Sequence, residues 1–123
     1  MLFLAAYWNL LLFEFYVARH DFSRLYQKVS AYPLRRGVPA TPGEIERVCS
    51  SVDKACIWYW KEVLCLQRSA ATASLLRFRG IPAELVVGAQ VFPFKAHAWV
   101  EVNGVVVNDR SYVREMYTVL DRC

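Results

Sequence analysis

The pattern of apolar residues changes at Gly80, and this change most limits the folds that are open to the chain. Before Gly80 the apolar residues recur at helical spacing. After it, Val and aromatic residues are concentrated in short runs at residues 83–91 and 97–107, which turn residues bound. Gly80, with Pro82 close behind it, is a typical signal for the end of a helix. We therefore predict an α+β fold, in which N-terminal helices are followed by a small antiparallel sheet.

Three helical stretches are predicted before that point. Residues 2–29 have apolar residues at helical spacing and become amphipathic beyond Glu14. Residues 42–59 form the second stretch, because the segment 41–44, Thr-Pro-Gly-Glu, is typical of a capped helix start. Residues 65–79 form the third, since their Ala and Leu residues have high helix propensity.

The chain has the size of one domain, and its composition limits its partners. A length of 123 residues predicts a single domain over residues 1–123. Hydrophobic residues make up 56% of the chain and aromatic residues 15%, which predicts apolar surface that a partner protein covers. The net charge of +4 is scattered, and no basic run with interleaved aromatic residues suggests a nucleic-acid groove.

Residues 1–13 carry no charged side chain, so a targeting or membrane segment has to be considered. A secretory signal has a basic first region and a small-residue cleavage site, and neither is present. A membrane-spanning helix needs about 20 apolar residues, whereas Asn9, Glu14 and Arg19 interrupt this stretch. We expect a helix that is buried in the domain or against a partner, and no membrane span.

The four cysteines are Cys49, Cys56, Cys65 and Cys123. No two of them form the C-x-x-C pair that is typical of zinc sites and of thioredoxin-like redox sites. A core of this size does not need disulfides, so a reducing cytoplasm is the simpler interpretation. We therefore predict no metal site and a cytoplasmic location.

Cys65, His97 and Asp109 supply the three parts of a thiol-nucleophile site. Cys65 stands where a helix would begin, and the unpaired backbone N–H groups there favour a thiolate. The chain has two histidines, and His20 lies in a polar segment, which favours His97 as the base. Asp109 would hold the imidazole in one tautomer. The alternatives are a buried structural cysteine and a strand histidine that is hydrogen-bonded for structure.

The turn at Asn103-Gly104 decides whether Asp109 can meet His97. With a two-residue loop, Asp109 would point to the opposite face of the hairpin. With a three-residue loop and a bulge at Gly104, Asp109 lies opposite His97. The three-part site therefore predicts the three-residue turn, and Asn108 is the alternative orienting residue if the loop has two.

Further residues are candidates for substrate binding or for stabilising an oxyanion. Gln67 can donate a hydrogen bond to a developing oxyanion, although the backbone N–H of Cys65 is as good a candidate. Arg68 is a candidate for orienting the helix or a peptide carbonyl, and Trp99 for shielding the imidazole from water. Three tryptophans are expected in the core rather than on a substrate platform: Trp58, Trp60 and Trp99.

Three segments carry a family resemblance: Cys-Leu-Gln-Arg-Ser at 65–69, Arg-Gly-Ile-Pro-Ala-Glu-Leu-Val-Val-Gly at 79–88, and His-Ala-Trp-Val-Glu-Val-Asn-Gly at 97–104 with Asn108-Asp109. Together they resemble the transglutaminase-like cysteine proteases of lasso-peptide biosynthesis, which are leader peptidases. The His-Ala-Trp-Val-Glu segment alone is shared more widely in the transglutaminase-like superfamily. The preceding helical half fits the resemblance more loosely.

The resemblance implies a transglutaminase-like or papain-like catalytic core in residues 41–123, after an N-terminal helix and connector in residues 1–40. It makes Cys65 the nucleophile, His97 the general base and then acid, and Asp109 the orienting carboxylate, without a cofactor. The implied reaction removes the leader from a ribosomally made precursor, ahead of an ATP-dependent macrolactam cyclase. The chain resembles the split form, which acts with a separate small winged-helix leader-recognition protein. That protein, the precursor and the cyclase are the implied partners.

Two other functions stay open on the sequence. The same three residues carry out acyl transfer to an amine in transglutaminases, and the choice depends on whether water or an amine reaches the acyl-enzyme. A non-catalytic scaffold of the same fold, which only binds partners, is the second alternative. Product analysis separates the two enzymes, and the pH dependence of thiol reactivity separates both from a scaffold.

Overall fold

The computed structural model describes residues 2–18, 22–31, 42–59, 63, 65–90, 95–109 and 113–122. In these ranges the helices are α1 (Leu2–Ala18), α2 (Phe22–Ala31), α3 (Pro42–Trp58), α4 (Cys65–Phe78) and α5 (Val113–Met116). The strands are β1 (Ala83–Gln90), β2 (Lys95–Val102), β3 (Val105–Val106) and β4 (Thr118–Arg122). Helices come first and a small antiparallel sheet follows, so the predicted α+β fold is confirmed.

The sheet is built around β1 and β2. Its strand order is β3-β2-β1-β4, and each neighbouring pair is antiparallel. β1 and β2 pair along their whole lengths, beginning with Ala83 opposite Val102. β4 pairs with the other side of β1, where the register shifts between Val87 and Gly88. The part of β2 that carries His97 is thus paired with β1, and the described pairs between β2 and β3 are at Glu101 and Val102.

Helix α4 is the central layer of the molecule. It packs against α1 and α3 and also against one face of the sheet. Ala70, Ala71 and Ala73 are fully buried in this layer. Small side chains allow helices and strands to approach closely, which explains why an alanine-rich helix occupies this position.

The described residues of the N-terminal stretch that was predicted as helical, residues 2–29, lie in α1 and α2. Residues 19–21, between the two helices, lie outside the described residues. Asp21 directly precedes α2 in the sequence, and Asp is a favoured residue type before the first helical turn. The sequence therefore contains a signal for the start of α2.

The later elements agree better with the sequence. α3 and α4 begin at Pro42 and Cys65 as predicted, and β1 begins at Ala83. The capping residue predicted for α3, Thr41, lies outside the described residues. No prediction covered α5 and β4, which follow Asp109 in the chain.

One side of α1 is buried in the domain and another carries exposed apolar side chains. Ala6, Leu10 and Phe13 are fully buried. The exposed apolar residues follow helical spacing and form one row, the α1 row: Leu4, Trp8, Leu11 and Phe15. Within the described part of the chain, no helix combines the length and the apolar character that a membrane crossing requires.

Candidate active site

His97 and Asp109 contact each other. Nε2 of His97 and Oδ2 of Asp109 are 2.5 Å apart, and each side chain is 25% exposed. When Nε2–H donates to the carboxylate, Nδ1 of the imidazole is left with a lone pair that can accept a proton. A partly exposed imidazole that a carboxylate orients has the arrangement of a general base within reach of a substrate.

The turn before Asp109 differs from the prediction. Val102 pairs with Val105, so the loop consists of Asn103 and Gly104 alone. The φ angles of these two residues are 52° and 80°, and positive φ at both positions is typical of a type I′ turn. The predicted three-residue turn is therefore wrong.

The offset that brings Asp109 to His97 lies after β3, where the ladder with β2 is interrupted. The N–H of Val107 still donates to the carbonyl of Val100 at 3.0 Å. In a regular ladder, the N–H of Val100 would in turn donate to the carbonyl of Val107. Instead it donates to Oδ1 of Asn108 at 2.7 Å. The side chain of Asn108 thus takes the place of a backbone carbonyl, and the regular pairing of the two strands ends there. Asp109, which follows Asn108, therefore does not have to alternate between the two faces of the sheet, and its carboxylate reaches the imidazole of His97.

Two aromatic rings stack near the imidazole. The ring centroid of His97 lies 6.1 Å from that of Trp99 and 5.3 Å from that of Tyr117. Trp99 is fully buried, so the prediction that it belongs to the core is confirmed. Gly88, opposite His97 in β1, makes room for the indole of Trp99 and for the Cβ atom of Tyr117, because a Cβ at position 88 would lie 2.8 Å from the indole and 2.9 Å from that atom. Sequence reasoning missed Tyr117, since no periodicity connects it with β2.

A buried carboxylate fixes the indole of Trp99. Nε1–H of Trp99 donates to Oε2 of Glu101 at 2.8 Å, and Nη1 of Arg122 donates to Oε1 of the same carboxylate at 3.0 Å. The side chain of Glu101 is 2% exposed. Hydrogen bonds to an ionised group are stronger and more directional than neutral ones, so they hold the indole in one orientation. Glu101 was not singled out, although its position two residues after Trp99 puts it on the same strand face.

Two hydrogen bonds show how α4 is aligned along β2. Oγ of Ser69 donates to the carbonyl of Ala98 at 3.1 Å. Further along the helix, Nη1 of Arg77 donates to the carbonyl of Ala83 at 3.2 Å, and Ala83 is paired with Val102. The helix and the strand therefore advance in the same direction.

From this parallel alignment we can estimate which part of β2 lies beside Cys65, the first residue of α4. A helix rises about 1.5 Å and a strand about 3.3 Å per residue, so four residues of helix correspond to roughly two residues of strand. Cys65 lies four residues before Ser69, and Ser69 is level with Ala98. We therefore expect Cys65 to lie near the beginning of β2, the part of the strand that contains His97.

Arg68 and Gln67 leave α4 on different sides. Nη2 of Arg68 donates to the carbonyl of Asn108, and its Nε lies 3.5 Å from Oδ1 of Asp53. Gln67 is fully buried, and its Nε2 donates to the carbonyl of Leu10 in α1 at 2.7 Å. Arg68 thus orients a carbonyl of the chain itself, while Gln67 joins α4 to α1. Their contacts with a substrate or an oxyanion stay predictions.

Of the two other tryptophans that were predicted for the core, Trp58 and Trp60, the structure describes Trp58. Trp58 is 74% exposed, so the prediction that it belongs to the core is wrong. The next residue, Tyr59, is buried instead, with its ring centroid 5.3 Å from that of Tyr7. Trp60 and the alternative base His20 lie outside the described residues.

Two further described cysteines lie on α3. Burial raises the pKa of the Cys49 thiol to about 11, and the nearby carboxylate of Asp53 adds to the rise. Burial also raises the pKa of Cys56. Both groups are therefore held as neutral thiols near pH 7. Among the cysteines that the structure describes, Cys65 at the helix start is the candidate nucleophile, while Cys123 lies outside this set.

Comparisons with known proteins give the family. A 56-residue segment is 43% identical to the microcin J25-processing protein McjB of Escherichia coli, and it covers 46% of this chain and 27% of that protein. No solved structure matches the chain. The family model of the Transglutaminase-like superfamily matches residues 9–122. Because this match covers nearly the whole chain, the chain belongs to the transglutaminase-like superfamily.

Proposed function

We propose that the chain is a cytoplasmic cysteine peptidase that removes the leader peptide from a lasso-peptide precursor. The observation that carries this proposal is the contact between His97 and Asp109. A cysteine at the first residue of α4, Cys65, supports it as the candidate nucleophile. The similarity to a microcin J25-processing protein supports a processing reaction and a ribosomally made peptide as substrate.

The proposed reaction has two stages. Nδ1 of His97 takes the proton of the Cys65 thiol, and the thiolate attacks the carbonyl of the scissile peptide bond. The tetrahedral intermediate collapses when the imidazolium gives that proton to the leaving amine, which is the amino terminus of the core peptide. Water, deprotonated by His97, then hydrolyses the thioester and releases the leader as a carboxylate. Asp109 keeps the imidazole in the required tautomer throughout.

The proposal requires Cys65 and His97 to meet at the end of the sheet where β2 begins. His97 and Trp99 project from the sheet face opposite the one that α4 covers. The thiol therefore has to approach the imidazole around the end of β2 and not through the sheet. This approach can be measured with the variant His97→Cys in a chain without its other cysteines. A disulfide needs its two Cα atoms within about 7 Å of each other. If residues 65 and 97 meet as proposed, the new cysteine should therefore form a disulfide with Cys65. Glu84→Cys is the control and should stay reduced.

The exposed α1 row supports the proposal that the chain binds a partner protein. This row consists of Leu4, Trp8, Leu11 and Phe15. All four side chains are exposed on one side of a helix whose other side is buried. Exposed apolar surface of this kind is typical of protein interaction sites. We assign the separate leader-recognition protein to this surface, and Trp8→Glu should weaken its binding in titration calorimetry without changing the alkylation rate of Cys65.

The function is tested by mass spectrometry of a precursor peptide after incubation with the chain and the recognition protein. We expect a free leader that ends in a carboxylate, and no cleavage by Cys65→Ala. Cys56→Ala is the matched control, because it removes a neutral thiol from α3, and it should cleave normally. A leader joined to an added amine would instead establish an acyltransferase. Unchanged cleavage by Cys65→Ala would contradict the mechanism, and no product with the intact chain would favour a scaffold.

A further inference from the structure

The side chain and carbonyl of Asn108 make hydrogen bonds in three directions. Its Oδ1 accepts from the N–H of Val100 in β2 at 2.7 Å. Its Nδ2 donates to Oγ of Ser69 in α4 at 3.0 Å. Its backbone carbonyl accepts from the guanidinium of Arg68, also in α4. The residue directly before Asp109 is thus bonded both to the strand of the imidazole and to the helix of the candidate nucleophile.

The polar groups around this interruption of the ladder are satisfied. The carbonyl of Val107, which a regular hairpin would pair with Val100, accepts a hydrogen bond from the thiol of Cys49 at 3.5 Å. The N–H of Val100 is bonded to Asn108. Breaking a ladder without replacing its bonds costs free energy, because buried backbone groups then have no partner. Here each of these groups has one, so the interruption is a stable part of the fold.

The contacts on α4 come one turn after Cys65. Residues three and four apart in a helix lie on the same side, so Arg68 and Ser69 are on the side of the helix that also carries Cys65. Ser69 is further tied to β2, because its hydroxyl donates to the carbonyl of Ala98, next to His97. A shift of the first turn of α4 would therefore be passed to the loop of Asp109 through Asn108.

We propose that Asn108 is a positioning residue that holds Asp109 against His97 and couples this pair to the start of α4. The proposal rests on the proposed function, in which His97 and Asp109 act together. The amide meets both side-chain demands at once, since it offers an acceptor to Val100 and a donor to Ser69. An aspartate in place of Asn108 would lack the donor, and an alanine would lack both groups.

The first test needs no substrate. The chain has two histidines, so the ring nitrogen signals of His97 can be identified in ¹⁵N NMR spectra by comparison with His97→Gln. In the native chain we expect a protonated Nε2 and an unprotonated Nδ1 at pH 8. Asn108→Ala should replace this pattern with the averaged signals of exchanging tautomers, and Asp109→Ala should do the same. An unchanged pattern in Asn108→Ala would overturn the proposal.

The second test uses kcat for leader cleavage in a double-mutant cycle. A displacement of catalytic groups by about 1 Å lowers the rate roughly 10²-fold, and we expect this loss in Asn108→Ala with little change in KM. In a background of Asp109→Ala, the same substitution should have no further effect, because Asn108 acts through Asp109. Two losses that simply multiply would show an independent structural role and overturn the proposal.

A milder variant covers the case in which Asn108→Ala does not fold. Ser69→Ala keeps Asn108 and removes the acceptor for its Nδ2 together with the donor to the carbonyl of Ala98, and it places a good helix former in α4. We expect the same change of tautomer and a lowered kcat, smaller than in Asn108→Ala. Ser74→Ala is the matched control, because Oγ of Ser74 is buried in the same helix and has no hydrogen-bond partner among the described residues. Equal behaviour of the two serine variants would contradict the proposal. A native chain that never cleaves precursor would refute the proposed function, and the NMR result would still decide the role of Asn108.

Discussion

The two faces of the sheet are held by different kinds of interaction. Toward α4, Leu85, Ala98 and Val100 are buried among apolar side chains. On the other face, Trp99 and Glu101 are equally buried, but directed hydrogen bonds join them. Apolar packing depends on volume and tolerates exchanges that preserve it, whereas a buried carboxylate depends on each of its donors. The first face holds the fold together, and the second fixes the orientation of the imidazole.

The largest effect on stability is expected from Leu85→Ala, on the face toward α4. This substitution leaves a cavity at a fully buried position, so the free energy of unfolding should fall by about 2–5 kcal/mol. A urea titration followed by circular dichroism measures this change. At temperatures where the variant is folded, its kcat should be close to that of the native chain. A loss of kcat in the folded variant would contradict the view that the face toward α4 contributes to stability and not to the orientation of the imidazole.

A smaller loss of stability with a larger effect on activity is expected from Glu101→Gln. The variant keeps the shape of the side chain but removes the charge that accepts hydrogen bonds from Trp99 and Arg122. Hydrogen bonds to charged groups contribute about 1.5–3 kcal/mol, and we expect a loss of that size together with a lowered kcat. Glu84→Gln is the matched control, because Glu84 is half exposed and lies 3.8 Å from the same arginine. Its free energy of unfolding should change by less than about 0.5 kcal/mol.

Gly88→Ala tests the space beneath the imidazole. An added Cβ would contact Trp99 and Tyr117 at less than normal distances, and such overpacking costs about 1–3 kcal/mol. We expect a lower melting temperature and a disturbed tautomer of His97. The control is Gly43→Ala in α3, where an added Cβ meets no atom of the described residues within 4 Å. Because alanine favours a helix over glycine by about 0.5–1 kcal/mol, this variant should be slightly more stable than the native chain.

The smallest effect is expected from treatment of the native chain with an alkylating agent at neutral pH. Cys49 should hardly react, so both faces of the sheet should stay unchanged. Burial raises the pKa of this thiol to about 11. At pH 8 roughly one Cys49 in a thousand is then a thiolate, and alkylation by iodoacetamide should be slow and should accelerate up to about pH 11. Peptide mapping by mass spectrometry follows the reaction. Half-maximal alkylation of Cys49 near pH 8 would show that the thiol beside Val107 is not held as described.

The order of helices and strands could be predicted from the sequence because local signals encode it. Gly80 and the change of apolar spacing mark the end of α4, and Thr-Pro-Gly-Glu marks the start of α3. The pair of His97 and Asp109 could also be anticipated, since both flank one hairpin. Its geometry could not, because the offset depends on the side chain of Asn108 replacing a backbone carbonyl, and no hairpin rule contains that exchange.

Contacts between segments that are far apart in the chain could not be predicted from the sequence. Tyr117 reaches His97 because β4 pairs with β1, and pairing between strands far apart in the chain leaves no periodic signal. The burial of Gln67 against α1 likewise depends on tertiary packing of helices. By contrast, Ser69 is one helical turn from Cys65, so helical spacing alone could have brought it into consideration.

The short strand β3 has a consequence for the behaviour of the protein in concentrated solution. A long strand at the edge of a sheet presents a row of unpaired N–H and C=O groups on which a neighbouring molecule can add a strand. Here the strand consists of Val105 and Val106. The backbone carbonyls of Val107 and Asn108, which follow this strand, are already bonded to the side chains of Cys49 and Arg68. The interruption that turns a carboxylate toward an imidazole therefore also keeps this edge strand short.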